Sequence, residues 1–96
     1  MPAIHYRLRW PDASESRCYS PSLAIQDHLS AGADYALADF LARVRAATAI
    51  ANERVQAKFG FTCSRASDEL ISTEARVALF SSLPEARVTV LGFEPA

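Results

Sequence analysis

The stretch Ile4-His5-Tyr6-Arg7-Leu8-Arg9-Trp10 decides the fold of this chain. Its apolar residues fall at every second position: Ile4, Tyr6, Leu8 and Trp10 face one way, His5, Arg7 and Arg9 the other. A period of two is the mark of a strand with one covered face and one wetter face. The covered face demands an apolar layer, and the opposite face is basic. Pro11-Asp12-Ala13-Ser14 supplies turn chemistry directly after it, because proline fixes φ and aspartate can bond its own backbone. A second strand, over about Glu15 to Tyr19, then returns antiparallel to the first.

The residues beyond this hairpin provide the covering layer. Ser20-Pro21 reads as a helix start, since serine can accept a bond from a free N–H and proline suits the first helical position. That helix carries Leu23, Ile25 and Leu29 and is short, because Ser30-Ala31-Gly32-Ala33 breaks it. The longest element spans about Ala36 to Lys58, where Leu37, Phe40, Leu41, Val44, Ala47, Ala51 and Val55 recur at three- and four-residue spacing. Gly60 stops it. Another helix, over about Ser64 to Ser81, is expected to bury Ala66, Leu70, Ile71, Val77, Ala78 and Phe80, and Pro84 ends that segment. Arg87 to Phe93 is a final strand rich in β-branched residues.

This order of elements predicts an α+β domain over residues 1–96. Its three-stranded sheet, the β-hairpin plus the C-terminal strand, is covered on one face by two long helices and a short helix. The last strand is expected beside the first, in the order 2-1-3. Both outer strands then have open edges, and pairing or packing between copies would hide them, so a homodimer is expected. A chain of 96 residues has room for one core only.

Charge and composition narrow the partners. A net charge of −1 argues against general nucleic-acid binding, which usually carries a basic excess. No apolar run approaches the ~20 residues needed to cross a bilayer, and the N-terminus shows no charged leader followed by an apolar core. A cytoplasmic protein is therefore expected, with neither membrane nor nucleic acid as partner. In a reducing compartment Cys18 and Cys63 are free thiols.

Two junctions carry the candidate chemistry. Cys18-Tyr19-Ser20-Pro21 and Cys63-Ser64-Arg65 each put a cysteine and a serine where a helix begins, a setting that activates thiols and holds anions. Cys18, Ser20, Cys63, Ser64 and Arg65 thus form a candidate ligand or thiol site. The role of Cys18 turns on register. Opposite Arg7 it lies on the basic face, where Arg7 and Arg9 favour the thiolate; a one-residue slip puts it opposite Leu8 in the core. Cys63 is either a thiolate stabilised by the helix dipole and Arg65, or part of a plug with Phe59 and Phe61 while Ser64 caps the helix.

His5, Arg7, Arg9 and Arg17 form a candidate basic face, which Arg87 could join. It either meets a carboxylate, phosphate or acidic partner, or is a solvated face bridged to Glu15 and Glu94. Adjacent residues on a helix point about 100° apart, so Asp27 and His28 are poorly placed to bond each other, and His28 turns to the helix C-terminus or solvent. Neither Cys-x-x-Cys nor His-x-x-x-His spacing occurs, nor any glycine motif for phosphate or dinucleotide. No metal, cofactor or catalytic set is therefore assigned.

Several ordered blocks carry a resemblance that covers nearly the whole chain. They are Arg9-Trp10-Pro11-Asp12, Cys18-Tyr19-Ser20-Pro21-Ser22, Asp27-His28-Leu29, Tyr35 with Asp39-Phe40, Arg54-Val55-Gln56-Ala57-Lys58-Phe59-Gly60-Phe61, and Cys63-Ser64-Arg65-Ala66. Together they resemble a family of small bacterial nitrogen-starvation-response proteins. Members are encoded beside a nitrilase, a radical SAM protein, a flavin-dependent oxidoreductase and an acetyltransferase-like protein. The resemblance implies a setting in nitrogen metabolism, including nitrile or cyanide use, and supplies no catalytic residues. The expectation is an accessory protein that binds an enzyme of the same gene cluster. The alternative is a small thiol-dependent enzyme or ligand-binding protein using Cys18, Cys63 or both.

Overall fold

In the computed structural model, which describes residues 3–60, 64–83 and 85–95, the alternating stretch forms β1 (Ile4–Arg9). Ile4, Tyr6 and Leu8 are buried and Arg7 and Arg9 are exposed, as the period of two requires. Trp10 closes the strand. Its carbonyl accepts the Ala13 N–H at 2.9 Å, and its own N–H donates to the Ser14 carbonyl at 2.8 Å. Ala13, at φ 70°, takes the left-handed position that follows the tight turn in this class of hairpin.

β2 (Glu15–Ser20) pairs antiparallel with β1, with Tyr6 opposite Cys18, His5 opposite Tyr19 and Arg7 opposite Arg17. On the other side of β1 lies β4 (Arg87–Pro95), also antiparallel. Leu8 pairs with Val90, and the register then shifts so that Arg7 pairs with Gly92 and Tyr6 with Phe93. The extra residue, Leu91, resets the alternation, so Val90 and Phe93 both reach the core side despite their odd spacing.

The sheet has four strands in the order β2-β1-β4-β3, not the three expected. The added strand is β3 (Asp34–Ala36), which pairs with β4 through Tyr35 opposite Val88. Three residues are too few to display alternation, so the segment carries no strand signal, and Ala36 falls in the expected long helix. The position of β3 depends on contacts distant in sequence: Tyr35 is buried, and Asp34 lies 3.2 Å from the Arg87 guanidinium. The preceding loop extends the pairing, as Gly32 N–H donates to the Val90 carbonyl at 2.7 Å and Val90 N–H to that of Ala33 at 2.8 Å.

Three helices cover one face. α1 (Ile25–His28) is a single turn that starts later than Ser20-Pro21 suggests. Ser20 is instead the last residue of β2, opposite Ile4, and its hydroxyl donates to the Ser22 carbonyl at 2.7 Å. Ser22 forms a local turn ahead of the helix, its hydroxyl accepting the Ala24 N–H at 3.1 Å, and the helix itself starts without a side-chain cap. α2 (Leu37–Phe59) buries Phe40, Val44, Ala47, Ala51 and Val55 and ends at Gly60, whose φ of 80° lets its N–H reach the Gln56 carbonyl at 2.8 Å.

α3 (Ser64–Leu79) buries Ala66, Thr73 and Val77, and Phe80 just beyond it is buried too. Ile71 and Ala78, expected inside, are exposed, Ile71 to 63%. The cause is placement. α3 sits at the sheet margin against β2 and α2, so its buried stripe is narrow and Ile71 falls behind it. The core meets at Trp10, whose ring stands edge-on to Phe40 at 5.8 Å and stacks on Phe80 at 6.0 Å.

Parts of the sheet margins find partners within the chain. Tyr19 N–H, on the outer edge of β2, donates to Glu69 Oε1 of α3 at 2.9 Å. The outer edge of β4 is occupied from Arg87 to Val90 by β3 and its preceding loop.

Candidate functional site

The margin between β2 and α3 leaves a cleft of about 250 Å³, lined by Trp10, Ser16, Arg17, Cys18, Glu69, Ser72, Thr73 and Arg76. One wall is the hairpin and the other is one face of α3. Glu69, Ser72, Thr73 and Arg76 recur at three- and four-residue spacing, so a straight helix presents them together.

The two ends of the cleft are held separately. At one, Trp10 Nε1–H donates to Ser16 Oγ at 2.8 Å, and Arg76 Nη2 donates to Ser14 Oγ at 2.7 Å. The Arg76 guanidinium also lies 5.6 Å from the Trp10 ring, within cation–π range. At the other end Glu69 holds the Tyr19 N–H. Beyond Glu69 is a void of about 10 Å³, lined in part by Tyr6, Ser20, Thr48 and Ala66, room for about one water.

Cys18 lies between these ends on the core face, opposite Tyr6 rather than Arg7 or Leu8. It is a buried free thiol. Burial first, and the Glu69 carboxylate second, push its pKa up to about 12, outweighing the Tyr6 hydrogen bond and the Arg76 charge. Burial also raises the Tyr6 hydroxyl, helped by Cys18 and Glu69. At neutral pH this thiol is protonated, which is the opposite of nucleophile activation.

The other residues singled out by sequence are dispersed. Ser64 is the exposed first residue of α3. The Arg65 guanidinium lies 3.9 Å over the Tyr19 ring, which stands edge-on to His5 at 5.9 Å. Neither Ser64 nor Arg65 lines the cleft, and Ser20 reaches only the small void. Cys63, Phe61 and Pro84 lie outside the described residues. His28 Nδ1 lies 3.0 Å from the Ala24 carbonyl, within its own turn.

On the outer sheet face each arginine has a carboxylate. Arg7 and Arg9 lie 3.2 and 3.8 Å from Glu15, and Arg17 lies 2.8 Å from Glu94. These pairs are about half exposed, so each is worth little, ~0–1 kcal/mol. Among the described residues no group of three or more His, Cys, Asp or Glu is placed to hold a metal ion, and no helix is long and apolar enough to cross a membrane.

Sequence reasoning missed Glu69, Arg76, Ser16 and Thr73. Their only local signal is the shared helical face of α3, which is what any solvated helix shows. No curated protein and no solved structure shows a significant match to the chain. The family described as nitrogen starvation-induced protein NitG matches residues 5–93. That span takes in the hairpin, all three helices and most of β4, so this chain belongs to the NitG family of nitrogen starvation-induced proteins.

Proposed function

We propose that this chain is an accessory protein of the nitrogen-starvation response that works by binding an enzyme encoded beside it. One observation carries the reading: an apolar surface left open around the C-terminal end of α3. Leu79 and Leu83 are 73% and 50% exposed. Next to them runs a groove of about 430 Å³ lined by Leu37, Leu41, Val77 and Leu83. Large apolar side chains grouped on a small protein mark an interaction surface. The gene-cluster setting implied by the sequence resemblance supplies the occupant: a nitrilase, radical SAM, flavin-dependent or acetyltransferase-like enzyme.

Co-expression of the chain with those four enzymes, followed by affinity capture, tests this. Capture of one enzyme, lost when Leu79 and Leu83 are both changed to Asp, is the expected result. Recovery of none overturns the proposal. Light scattering that shows a dimer dispersed by the same two changes assigns the surface to a second copy instead.

The thiol alternative draws support from Cys18 at the cleft wall, but a protonated thiol weakens it there. Replacing Cys18 with Ala and Cys63 with Ser together, without effect on growth under nitrogen limitation, would remove it.

A further inference from the structure

Glu69 and Arg76 line the same cleft, and among the described residues neither has an ion-pair partner. Arg7, Arg9, Arg17, Arg43, Arg45 and Arg87 each have a carboxylate within 4.0 Å, whereas Arg76 reaches a carboxylate only at longer range, that of Asp12, whose pKa it helps to lower. Glu69 and Arg76 do not neutralise each other, because each is held at its own end. Seven residues along a helix is two turns, a separation of about 10 Å along the axis. Glu69 is anchored to the Tyr19 N–H and Arg76 to Ser14 Oγ.

The guanidinium is also underused. Arginine has five N–H donors, and the described residues give Arg76 one acceptor, Ser14 Oγ. Its Nε is buried and has no hydrogen-bond partner among the described residues. Buried donors of this kind are rare in native proteins and call for an explanation. The floor between the two charges is polar as well: Ser16, Cys18, Ser72 and Thr73 face the same space.

We propose that this cleft binds a small zwitterion, with its carboxylate on Arg76 and its ammonium on Glu69. The volume of about 250 Å³ lies below the usual range for drug-sized ligands and suits a small metabolite. Spacing selects among zwitterions. The two charged groups are anchored to residues five apart along the hairpin arm, so a ligand that touches both has to extend between them. That favours an amino acid whose two charged groups are separated by several bonds over glycine. The hydroxyls of Ser16, Ser72 and Thr73 remain for polar groups along its length. This site is separate from the apolar surface at Leu79 and Leu83, so it stands or falls independently of partner binding.

Titration of the full chain with glycine, β-alanine, 4-aminobutyrate and 5-aminopentanoate tests the proposal, with acetate and propylamine as single-charge controls. Calorimetry reads affinity, and the Trp10 indole N–H resonance reports occupancy at the Arg76 end. The expected result is saturable binding at millimolar concentrations or below, stronger for the longer amino acids than for glycine. Arg76→Gln and Glu69→Gln should each weaken it at least tenfold. Ser72→Phe, an exposed change that fills the cleft without touching either charge, should abolish it in a protein that remains folded by circular dichroism. The Leu79→Asp/Leu83→Asp variant should bind as tightly as the parent chain. Absence of saturation by every zwitterion overturns the proposal. So does acetate binding as tightly as 4-aminobutyrate, or affinity untouched by Glu69→Gln and Ser72→Phe.

Discussion

Cys18 stands directly across the β1–β2 ladder from Tyr6, and both are buried beneath the helical layer. The pairing places two weak acids side by side where ionisation is penalised. The thiol is pushed up to about 12 from an ordinary value of 9.0, so its folded value exceeds its unfolded one. Between those values the unfolded chain gives up the proton while the folded chain keeps it.

Stability should therefore be insensitive to this thiol at neutral pH and fall as pH rises above about 9, by at most ~1.4 kcal/mol per pH unit. Tyr6, raised in the same direction, adds its own loss at higher pH. Urea denaturation from neutral to strongly alkaline pH checks this. A flat profile would contradict it, and Cys18→Ala should remove the first part of the decline.

Glu69 satisfies one N–H on the outer edge of β2, that of Tyr19. Glu69→Ala should cost about 1–2 kcal/mol, in the range for a charge-assisted bond to a partly buried group. Glu69→Gln, which keeps an acceptor, should lose less. Both remove the charge that helps to raise the Cys18 pKa, so thiol labelling at alkaline pH should quicken in both variants. Unchanged labelling would show that burial alone governs the thiol.

Ala13 occupies the left-handed position of the hairpin turn at φ 70°, where a Cβ is strained. Ala13→Gly should stabilise the protein by about 0.5–1 kcal/mol, strain relief exceeding the entropy glycine loses. A thermal shift upward checks it, and Ala13→Val should move the midpoint the other way.

Phe40 is fully buried against the Trp10 ring, whereas Leu79 is 73% exposed. Truncation to Ala should cost about 3–5 kcal/mol at Phe40 and under about 0.5 kcal/mol at Leu79. Parallel denaturation curves decide this. A large cost at Leu79 would mean its surface is covered in solution, by a second copy of the chain.

Much of the fold was legible because it rests on local rules. The alternation of Ile4, Tyr6, Leu8 and Trp10 names a strand and its buried face from four residues. Gly60 marks the end of α2 because only a residue at ease with positive φ closes a helix that way. β3 was not legible, since three residues carry no period, and Ile71 misled because an apolar residue on a helix does not say which neighbour is near. At the candidate site the reading reached Cys18 and Arg17 but not Glu69 or Arg76.

By itself, then, the sequence determined the hairpin, the long helices, the final strand and membership of the nitrogen-starvation family. Side-chain direction along a strand or helix follows from backbone geometry, so periodicity is enough to read it. Only the tertiary structure decided that Cys18 faces Tyr6, that β3 covers β4, and that Glu69 and Arg76 border one cleft. The cleft depends on pairs such as Ser14 and Arg76, or Tyr19 and Glu69, which lie 62 and 50 residues apart and meet only when α3 settles on the sheet margin.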